Sequence, residues 1–399
     1  MTTVAQPIVV VTDWGEHAFG PLAVLIGFIA LAGVLYWRML ARGDVFSLPA
    51  LIALATLGLA AAWCAPVIFS SDVYAYAAYG ELARLGLDPY VRVLHAGNDP
   101  LIANAAWQWS GSLPVCVYGP AFVALARSIV AATAPLGALA QLQALRLVAS
   151  AAFLFCAPLA YAAFEGDRRA RLRAAATLAL NPVAIWCAAE GHNDALALAV
   201  VLAGIALVRK RLFPIGAAIV ALSALIKPQG AAAAIALGAS DRRARAGAAF
   251  GLAIVVVLWL PALAAIAKQV APHGQYAPQA SLQAVFAPLG AVPAIAVAAA
   301  VSIGLVVGGV RLLRGGRRDG WVFLGLAAWV LIPNPYPWYA IWLVALAAMA
   351  AHTKAWRVAL LLSFSSVLRY LPDAIATPAP AGSVALGTLA ALPLLGLLL

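Results

Sequence analysis

Five short polar motifs interrupt an otherwise apolar sequence, and they contain most of the side chains that could do acid–base or phosphate chemistry. They are Ser71-Asp72-Val73-Tyr74, Gly191-His192-Asn193-Asp194, Lys227-Pro228-Gln229, Gln275-Tyr276, and the segment from Asn334 to Tyr339. A positioned carboxylate can take a proton from a hydroxyl nucleophile, and a fixed cation can stabilise a departing phosphate. Because the motifs lie far apart in the sequence, the elements between them must fold the chain back and forth to form one site.

The composition indicates that these elements are membrane helices. The 399 residues are 65% hydrophobic and 10% charged, whereas about a quarter of the residues in a soluble domain are charged. Repeated apolar stretches of about 15 to 25 residues are typical of transmembrane helices. The net charge of +11 is spread over short loops and forms no basic stripe, so a nucleic-acid partner is not expected.

Thirteen apolar stretches are candidate spans, and several fall short of the roughly 20 residues that cross a bilayer. Short helices of this kind must be shielded by neighbours, with their ends facing a cavity. The break at Lys227-Pro228 favours a re-entrant hairpin, because proline has no amide hydrogen to continue a helix. The candidate spans are 20–40, 48–69, 143–164, 174–189, 194–208, 213–226, 229–238, 246–266, 285–310, 320–333, 338–351, 356–371 and 383–399.

Alternate loops between these spans carry most of the positive charge. The positive-inside rule therefore places the amino terminus outside and the carboxyl terminus inside, and all five polar motifs then fall on the outer side. The apolar stretch 117–135 contains Arg127 and would invert every later loop if it crossed, so it is predicted to lie in the outer interface. Eighteen of the 25 Lys and Arg residues lie in the predicted inner loops: Arg38, Arg42, Arg168, Arg169, Arg171, Arg173, Arg209, Lys210, Arg211, Arg242, Arg243, Arg245, Arg311, Arg314, Arg317, Arg318, Lys354 and Arg357.

The predicted fold class is thus an all-α integral membrane protein, a polytopic helical bundle of about 13 spans, some of them short or re-entrant. It forms a single transmembrane domain over residues 1–399. Residues 20–69 hold the first two helices, 70–142 form an outer loop with interfacial helices, and 143–399 hold the remaining helices.

Asp72 is the first candidate for a catalytic group. Ser71 is a plausible N-cap, which places Asp72 in the first turn of a helix, where the macrodipole favours an ionised carboxylate. Such an acid could serve as a general base, or it could simply cap the helix. The spacing alone does not separate these two roles.

The motifs resemble those of GT-C membrane glycosyltransferases, and more narrowly the polyprenol-phosphate-mannose-dependent α-1,6-mannosyltransferases of bacterial envelopes. The matching segments occur in the order of that family. They are Ser71 to Tyr76, Gly86-Leu87-Asp88-Pro89-Tyr90, Tyr118-Gly119-Pro120, Asn181-Pro182, Gly191 to Asp194, Leu225 to Pro228, and Pro337-Trp338-Tyr339. The resemblance implies a GT-C-like fold with the catalytic base at Asp72.

Other polar residues are weighed against ordinary structural roles. Lys227, Arg146 and His192 are predicted to bind the donor phosphate, although a lysine at this position could also extend to lipid headgroups. The predicted substrate-binding residues are Tyr76, Glu81, Asn193, Asp194, Tyr276, Gln283, Trp338 and Tyr339. Asn193 could equally be a helix cap, and Trp338 and Tyr339 could be interfacial belt residues.

The expected activity is transfer of a hexose, with mannose as the expected sugar, from a polyprenyl-phosphate carrier to a glycan or lipid acceptor of the cell envelope. The expected location is the cytoplasmic membrane, with membrane lipids around the helices and the site facing outside. Metal dependence is left open, because Asp72 with Glu81 or Asp194 could hold a divalent cation. A lipid-linked-sugar flippase or transporter is the alternative, and it would require ionisable groups through the midplane and an internal repeat.

Overall fold

The computed structural model describes residues 19–42, 46–65, 67–91, 94–95, 99–108, 112–273, 278–371 and 381–397, and these residues are almost entirely helical. One short antiparallel bridge pairs Leu94–His95 with Ser112–Leu113. The α-helices are α1 Phe19–Ala41, α2 Leu48–Trp63, α3 Asp72–Arg84, α4 Pro100–Gln108, α5 Pro120–Thr133, α6 Ala138–Ala163, α7 Arg168–Ala179, α8 Pro182–Ala189, α9 Asp194–Arg209, α10 Phe213–Leu222, α11 Gln229–Ser240, α12 Arg245–His273, α13 Leu282–Phe286, α14 Ala291–Arg314, α15 Asp319–Leu331, α16 Ala340–Ala348, α17 Lys354–Ser365 and α18 Ala381–Ala391.

Four stretches of helix among the described residues are long and apolar enough to cross a membrane: Gly20–Ala41, Ala138–Ala163, Arg242–Leu263 and Ala291–Arg314. The bent pair of α7 and α8 could be a fifth, and several shorter apolar helices accompany them. The protein is therefore a polytopic helical membrane protein. The figure of about 13 spans and the orientation remain predictions.

The expected span 174–189 is not one continuous helix. Two helices, α7 and α8, occupy this region and are bent by 52° at a break. Pro182 is the first residue of α8, and Asn181 caps it by accepting a hydrogen bond from the Ala184 amide at 3.0 Å. Proline at this position removes a backbone donor and ends the preceding helix. Helix α7 also begins at Arg168, so the arginines that were assigned to an inner loop lie within its first turns.

The chain is also broken near Lys227, as the sequence indicates. Helix α10 ends at Leu222, a short 3-10 turn covers Ser223–Leu225, and α11 begins at Gln229. The amide of Lys227 donates to the carbonyl of Ser223. The break therefore presents Lys227 between two helices, where a continuous helix would have packed it along one face.

The segment between α2 and α6 folds as a helical layer around α3 and α5. Gly80 on α3 allows this packing, because a Cβ there would lie 2.7 Å from the carbonyl oxygen of Ala126 on α5. Tyr74, Tyr76 and Phe122 are completely or almost completely buried in the resulting core. The predicted interfacial helix in 117–135 corresponds to α5.

Two helices connect the polar motifs to the arginine-rich loops. Helix α9 runs from Asp194 to Arg209, and α11 runs from Gln229 to Ser240. At 1.5 Å per residue, the 16 residues of α9 separate these two regions by about 24 Å. At the far end, Arg209 and Arg318 both approach the carboxylate of Glu165. Arg314, near the end of α14, donates to the carbonyl of Ala239 near the end of α11. We call this end of the molecule the basic pole, and it includes the ion pairs Arg209–Glu165, Arg318–Glu165, Arg243–Asp241 and Arg317–Asp319.

Candidate active site

A cavity of about 320 Å³ opens where three of the five polar motifs meet the segment 114–118. Its walls come from α3, from the extended segment 114–118, from the break between α10 and α11, and from the 3-10 turn at Pro337–Tyr339. The polar and aromatic groups that face it are Asp72, Tyr79, Tyr118, Lys227, Gln229, Trp338 and Tyr339.

The carboxylate of Asp72 is held through one of its two oxygens. Tyr118 donates its hydroxyl to Asp72 Oδ2 at 3.2 Å, and the hydroxyl of Tyr76 lies 3.4 Å from the same oxygen. His192 Nδ1 approaches Oδ2 to 4.0 Å. Asp72 also lines the cavity. Its carboxylate is therefore oriented by protein hydroxyls and lies where a ligand could reach it.

The backbone at Asp72 is arranged by the residue before the expected cap. Ser71 occupies the N-cap position of α3, but its side chain makes no capping hydrogen bond. Instead, Ser70 Oγ accepts the Asp72 amide at 3.0 Å. Burial raises the pKa of Asp72 above its usual value, while the hydrogen bond to Ser70, the charge of Lys227 and the hydroxyl of Tyr118 oppose that rise. A carboxylate with a raised pKa is a stronger base when it is ionised.

Tyr118 reaches Asp72 because its segment packs tightly against the helix break. The Gly119 amide donates to the Ile226 carbonyl at 3.0 Å, and a Cβ on Gly119 would lie 2.0 Å from the carbonyl oxygen of Leu225. Only glycine permits this approach. Tyr90 also donates its hydroxyl to the carbonyl of Tyr118 at 2.8 Å. The tyrosine is thus fixed from both sides beside Lys227.

Lys227 is almost fully buried and forms an ion pair with Asp194, which has no exposed surface. The other carboxylate oxygen of Asp194 accepts the indole N–H of Trp342 at 2.6 Å. The ammonium group of Lys227 lies 5.5 Å from the centre of the Tyr339 ring. An ammonium group has three N–H donors, so the pair leaves donors of Lys227 for the cavity that this residue lines.

His192 lies behind Asp72 in a column of rings. Its imidazole stacks on Trp338 at 4.9 Å between ring centres, and Trp338 stacks on Tyr336 at 4.3 Å. Only 1% of His192 is exposed, and neither ring nitrogen has a hydrogen-bond partner within the described part of the chain. Burial, assisted by the charge of Lys227, holds the pKa of His192 well below its usual value, so the ring is neutral near pH 7.

Eight of the twelve predicted site residues lie at the cavity or directly behind it. Asp72, Lys227, Trp338 and Tyr339 line the cavity, and a second layer directly behind it holds Tyr76, His192, Asn193 and Asp194. The Tyr76 hydroxyl also lies 3.4 Å from Asn193 Oδ1, so Asn193 contacts this layer without making a side-chain cap for α9.

Three predicted residues lie elsewhere, and Tyr276 lies outside the described residues. Arg146 donates to the Ala189 carbonyl at 2.8 Å and stacks over Trp63, so its guanidinium group is buried away from the cavity lining. The carboxylate of Glu81 is engaged by Arg84, and Gln283 donates to the carbonyl of Leu331 at 2.7 Å.

The same contacts decide where a divalent cation could bind. Both oxygens of Glu81 are bonded to Arg84, and both oxygens of Asp194 are bonded to Lys227 or Trp342. Among the described residues, no three His, Cys, Asp or Glu side chains are grouped to hold a metal ion. The pairing of Asp72 with Glu81 or Asp194 therefore does not fit a cation site.

Sequence reasoning missed two residues that the site uses. Tyr118 holds Asp72, and Trp342 holds Asp194. Tyr118 lies in an extended segment without periodicity, although it belongs to one of the motifs that carry the family resemblance. Trp342 lies inside an apolar helix, where an indole is expected to pack against other apolar groups.

Comparison with known proteins identifies the family of the chain. The sequence profile described as alpha-(1->6)-mannopyranosyltransferase, N-terminal domain, matches residues 2–243, which is more than half of the chain. The match includes Asp72, Tyr118, the turn at His192 and Lys227. None of the curated proteins or solved structures compared with the chain matches it significantly. The resemblance to α-1,6-mannosyltransferases is therefore confirmed, and a flippase or transporter is disfavoured. The chain belongs to the alpha-(1->6)-mannopyranosyltransferase family and is a mannosyl glycosyltransferase of the membrane.

Proposed function

We propose that the protein transfers mannose from a polyprenyl-phosphate carrier to a hydroxyl of a glycan or lipid acceptor, with Asp72 as general base. One observation carries this proposal: the cavity is lined by a carboxylate whose Oδ2 is fixed by the hydroxyls of Tyr118 and Tyr76. A group that is oriented in advance in this way needs little reorganisation when it accepts a proton.

The reaction is a single displacement. The acceptor hydroxyl gives its proton to Asp72 Oδ1, and its oxygen forms a bond to the anomeric carbon. The bond from that carbon to the phosphate oxygen breaks on the opposite face, and the polyprenyl phosphate leaves with the electron pair. A β-linked donor then gives an α-linked product, in agreement with the linkage in the family description.

Lys227 is the proposed partner of the departing phosphate. Its side chain lines the cavity together with Asp72. The pair with Asp194 holds the ammonium group in place, and the donors that remain stabilise the charge that develops on the phosphate. The sequence predicted that His192 binds the donor phosphate. In this proposal its neutral ring instead lies behind Asp72 and supports the position of the carboxylate.

Tyr339, which lines the cavity, is the proposed stacking platform for the sugar. Trp338 is stacked between His192 and Tyr336, so its proposed contact with the sugar is through the edge of the indole. The proposed location is the cytoplasmic membrane with the cavity on the outer side. The separation of the cavity from the basic pole supports this orientation under the positive-inside rule.

The test is transfer of radiolabelled mannose from polyprenyl-phosphate mannose into glycolipid by the purified protein. Asp72→Asn keeps the shape of the side chain but removes the base, and general-base catalysis is worth about 10² to 10⁴ in rate. We expect the turnover of Asp72→Asn to fall by at least about 10²-fold.

The matched control is Asp88→Asn, which changes an exposed aspartate in the turn that follows α3. Asp88 accepts a hydrogen bond from the Tyr90 amide at 2.9 Å, which asparagine can also do. It should keep wild-type turnover. Full activity of Asp72→Asn would remove Asp72 from the base role, and failure of the wild type to use any polyprenyl-phosphate sugar would reject the proposed donor.

A further inference from the structure

The segment that leads into Asp72 is attached to the protein interior by a buried carboxylate. Glu190 follows α8, and only 2% of it is exposed. Its Oε1 accepts the amides of Ile68 at 2.5 Å and Phe69 at 2.9 Å, and its Oε2 lies 3.1 Å from the Phe69 amide. A carboxylate that is removed from water in this way requires such donors.

A second attachment holds the same segment from another helix. Tyr370 donates its hydroxyl to the carbonyl of Phe69, and the two rings stack at 6.0 Å with an angle of 10° between their planes. The amide and the carbonyl of Phe69 are therefore both bound by buried side chains.

The attached backbone is only three residues from the catalytic carboxylate. Ser70 follows Phe69, and its hydroxyl accepts the Asp72 amide at 3.0 Å. A shift of the Phe69 backbone would therefore also shift Asp72, because no flexible segment lies between them. A shift of about 1 Å in a reacting group can lower a rate about 10²-fold.

Glu190 also belongs to the turn that faces Asp72 from the other side. Gly191 follows it with a φ of +97°, and a Cβ there would lie 3.2 Å from both Arg146 Cγ and Val73 Cγ2. The next residue is His192, which approaches Asp72 Oδ2. Arg146 donates to the Ala189 carbonyl and fixes this turn from behind. One short turn thus contacts both the backbone before Asp72 and the carboxylate itself.

We propose that Glu190 and Tyr370 are positioning residues that hold the Ile68–Phe69 backbone so that the Asp72 carboxylate faces the cavity. We call these two residues the backbone clamp. This inference rests on the proposed function of Asp72 as base. In the same proposal Arg146 supports the turn that contains Glu190. This role replaces the phosphate contact that the sequence predicted for Arg146.

The Glu190 variants separate the clamp from a general effect of charge. Burial raises the pKa of Glu190 to about 8, so near pH 7 much of it is protonated and glutamine resembles it in shape and charge. Glu190→Gln keeps an acceptor oxygen for both amides and should retain turnover within about fivefold of wild type. Glu190→Ala removes the acceptor, and we expect its kcat to fall about 10²-fold while the KM for the donor stays within about threefold.

The tyrosine variants supply a matched pair that does not disturb a buried acid. Tyr370→Phe removes the bond to the Phe69 carbonyl, and we expect kcat to fall about tenfold with the donor KM unchanged. Tyr36→Phe is its control, because the Tyr36 hydroxyl makes the same type of buried bond, to the carbonyl of Thr177 on α7. Tyr36→Phe should lower thermal stability to a similar extent and leave kcat at the wild-type value.

The assay uses the full-length protein in detergent, with rates expressed per folded molecule. A selective fall in kcat for Glu190→Ala and Tyr370→Phe supports the clamp, whereas wild-type kcat in either folded variant overturns it, as does a change confined to KM. If Glu190→Ala does not fold, the comparison of Tyr370→Phe with Tyr36→Phe decides in the same way. Asp72→Asn in the same series keeps the two proposals apart, because an active Asp72→Asn would reject the base itself, while an inactive one with normal clamp variants would reject only the clamp.

Discussion

Acidic and basic side chains meet at both ends of the bundle, but they do so in opposite surroundings. At the basic pole, Arg243 and Asp241 pair at 3.1 Å with 67% and 27% of their side chains exposed, and Arg317 pairs with Asp319 at 2.9 Å. At the cavity, Lys227 and Asp194 pair with 6% and 0% exposed. Both regions contain ion pairs between a basic residue and an aspartate. They differ in how deeply those pairs are buried.

This difference indicates what each region can do. Exposed pairs are solvated and contribute about 0 to 1 kcal/mol, so the positions of their side chains are weakly constrained. Buried pairs require partners in fixed positions, because an unpaired charge in such a place is very unfavourable. The basic pole can therefore influence orientation in the membrane through charge alone, whereas the cavity can hold reacting groups in defined positions.

The largest expected effect comes from separating the buried pair. Lys227→Met leaves the Asp194 carboxylate without its cation, and Asp194→Asn leaves the ammonium group without its anion. Loss of one partner of a buried pair costs about 3 to 5 kcal/mol. We expect each single variant to lose that much unfolding free energy in detergent, and also to lose transfer activity.

The double variant Lys227→Met/Asp194→Leu separates stability from chemistry. Replacing both charges with apolar groups should recover most of the unfolding free energy, but it should not recover transfer, because the cation for the phosphate is absent. Recovery of transfer in the double variant would show that Lys227 has only a structural role.

A smaller effect is expected at Tyr118. Tyr118→Phe removes a hydrogen bond to the ionised form of Asp72, which raises the pKa of Asp72 further. The base works when it is ionised, so activity is lost as the pH falls through this pKa, and in Tyr118→Phe that loss should begin at a higher pH. At pH values on the acidic limb we expect kcat/KM to fall about tenfold, the equivalent of a bond worth about 1.5 kcal/mol.

The pH profile of kcat/KM for the free enzyme is the measurement for this prediction. Tyr79→Phe is the matched control, because Tyr79 also lines the cavity but donates its hydroxyl to the Pro114 carbonyl at 2.9 Å. Its acidic limb should coincide with that of the wild type. An unshifted limb in Tyr118→Phe would mean that Asp72 is not the group whose ionisation controls the reaction.

The smallest effect is expected at the basic pole. Arg243→Ala removes the exposed pair with Asp241, and we expect the unfolding free energy to change by no more than about 0.5 kcal/mol. Transfer activity in detergent should not change. A loss comparable to that of Lys227→Met would show that exposure does not distinguish the two regions.

Much of the architecture could be anticipated from apolar length and from proline. The long helices α1, α6 and α14 follow long apolar stretches, and the break after Leu225 follows from Pro228. The break at Asn181-Pro182 was not expected, because the apolar run around it is continuous and hydropathy does not report the loss of one backbone donor. The helix break was therefore predicted at Pro228 but not at Pro182.

The sequence predicted only part of the candidate site. Charge in alternate loops indicates which end of a helix a residue occupies, and that information brought Asp72, His192, Asp194 and Lys227 to one region. It does not indicate in which direction a side chain points from its helix. For this reason Arg146 and Glu81, which lie at the same end of the bundle, were predicted to be site residues although they do not line the cavity. Tyr118 depends on a close approach at Gly119 that only the folded chain reveals.

The measurement that tests the account most directly is the accessibility of the two ends of the bundle in intact cells. Asp88→Cys lies on an exposed turn near the cavity, and Arg243→Cys lies at the basic pole. Both would be made in a Cys64→Ser background, because Cys64 is exposed whereas Cys116, Cys156 and Cys187 are buried. We expect a membrane-impermeant maleimide to label Asp88→Cys in intact cells and Arg243→Cys only after permeabilisation. The reverse pattern would place the cavity on the cytoplasmic side and contradict the proposed outward-facing mannosyl transfer.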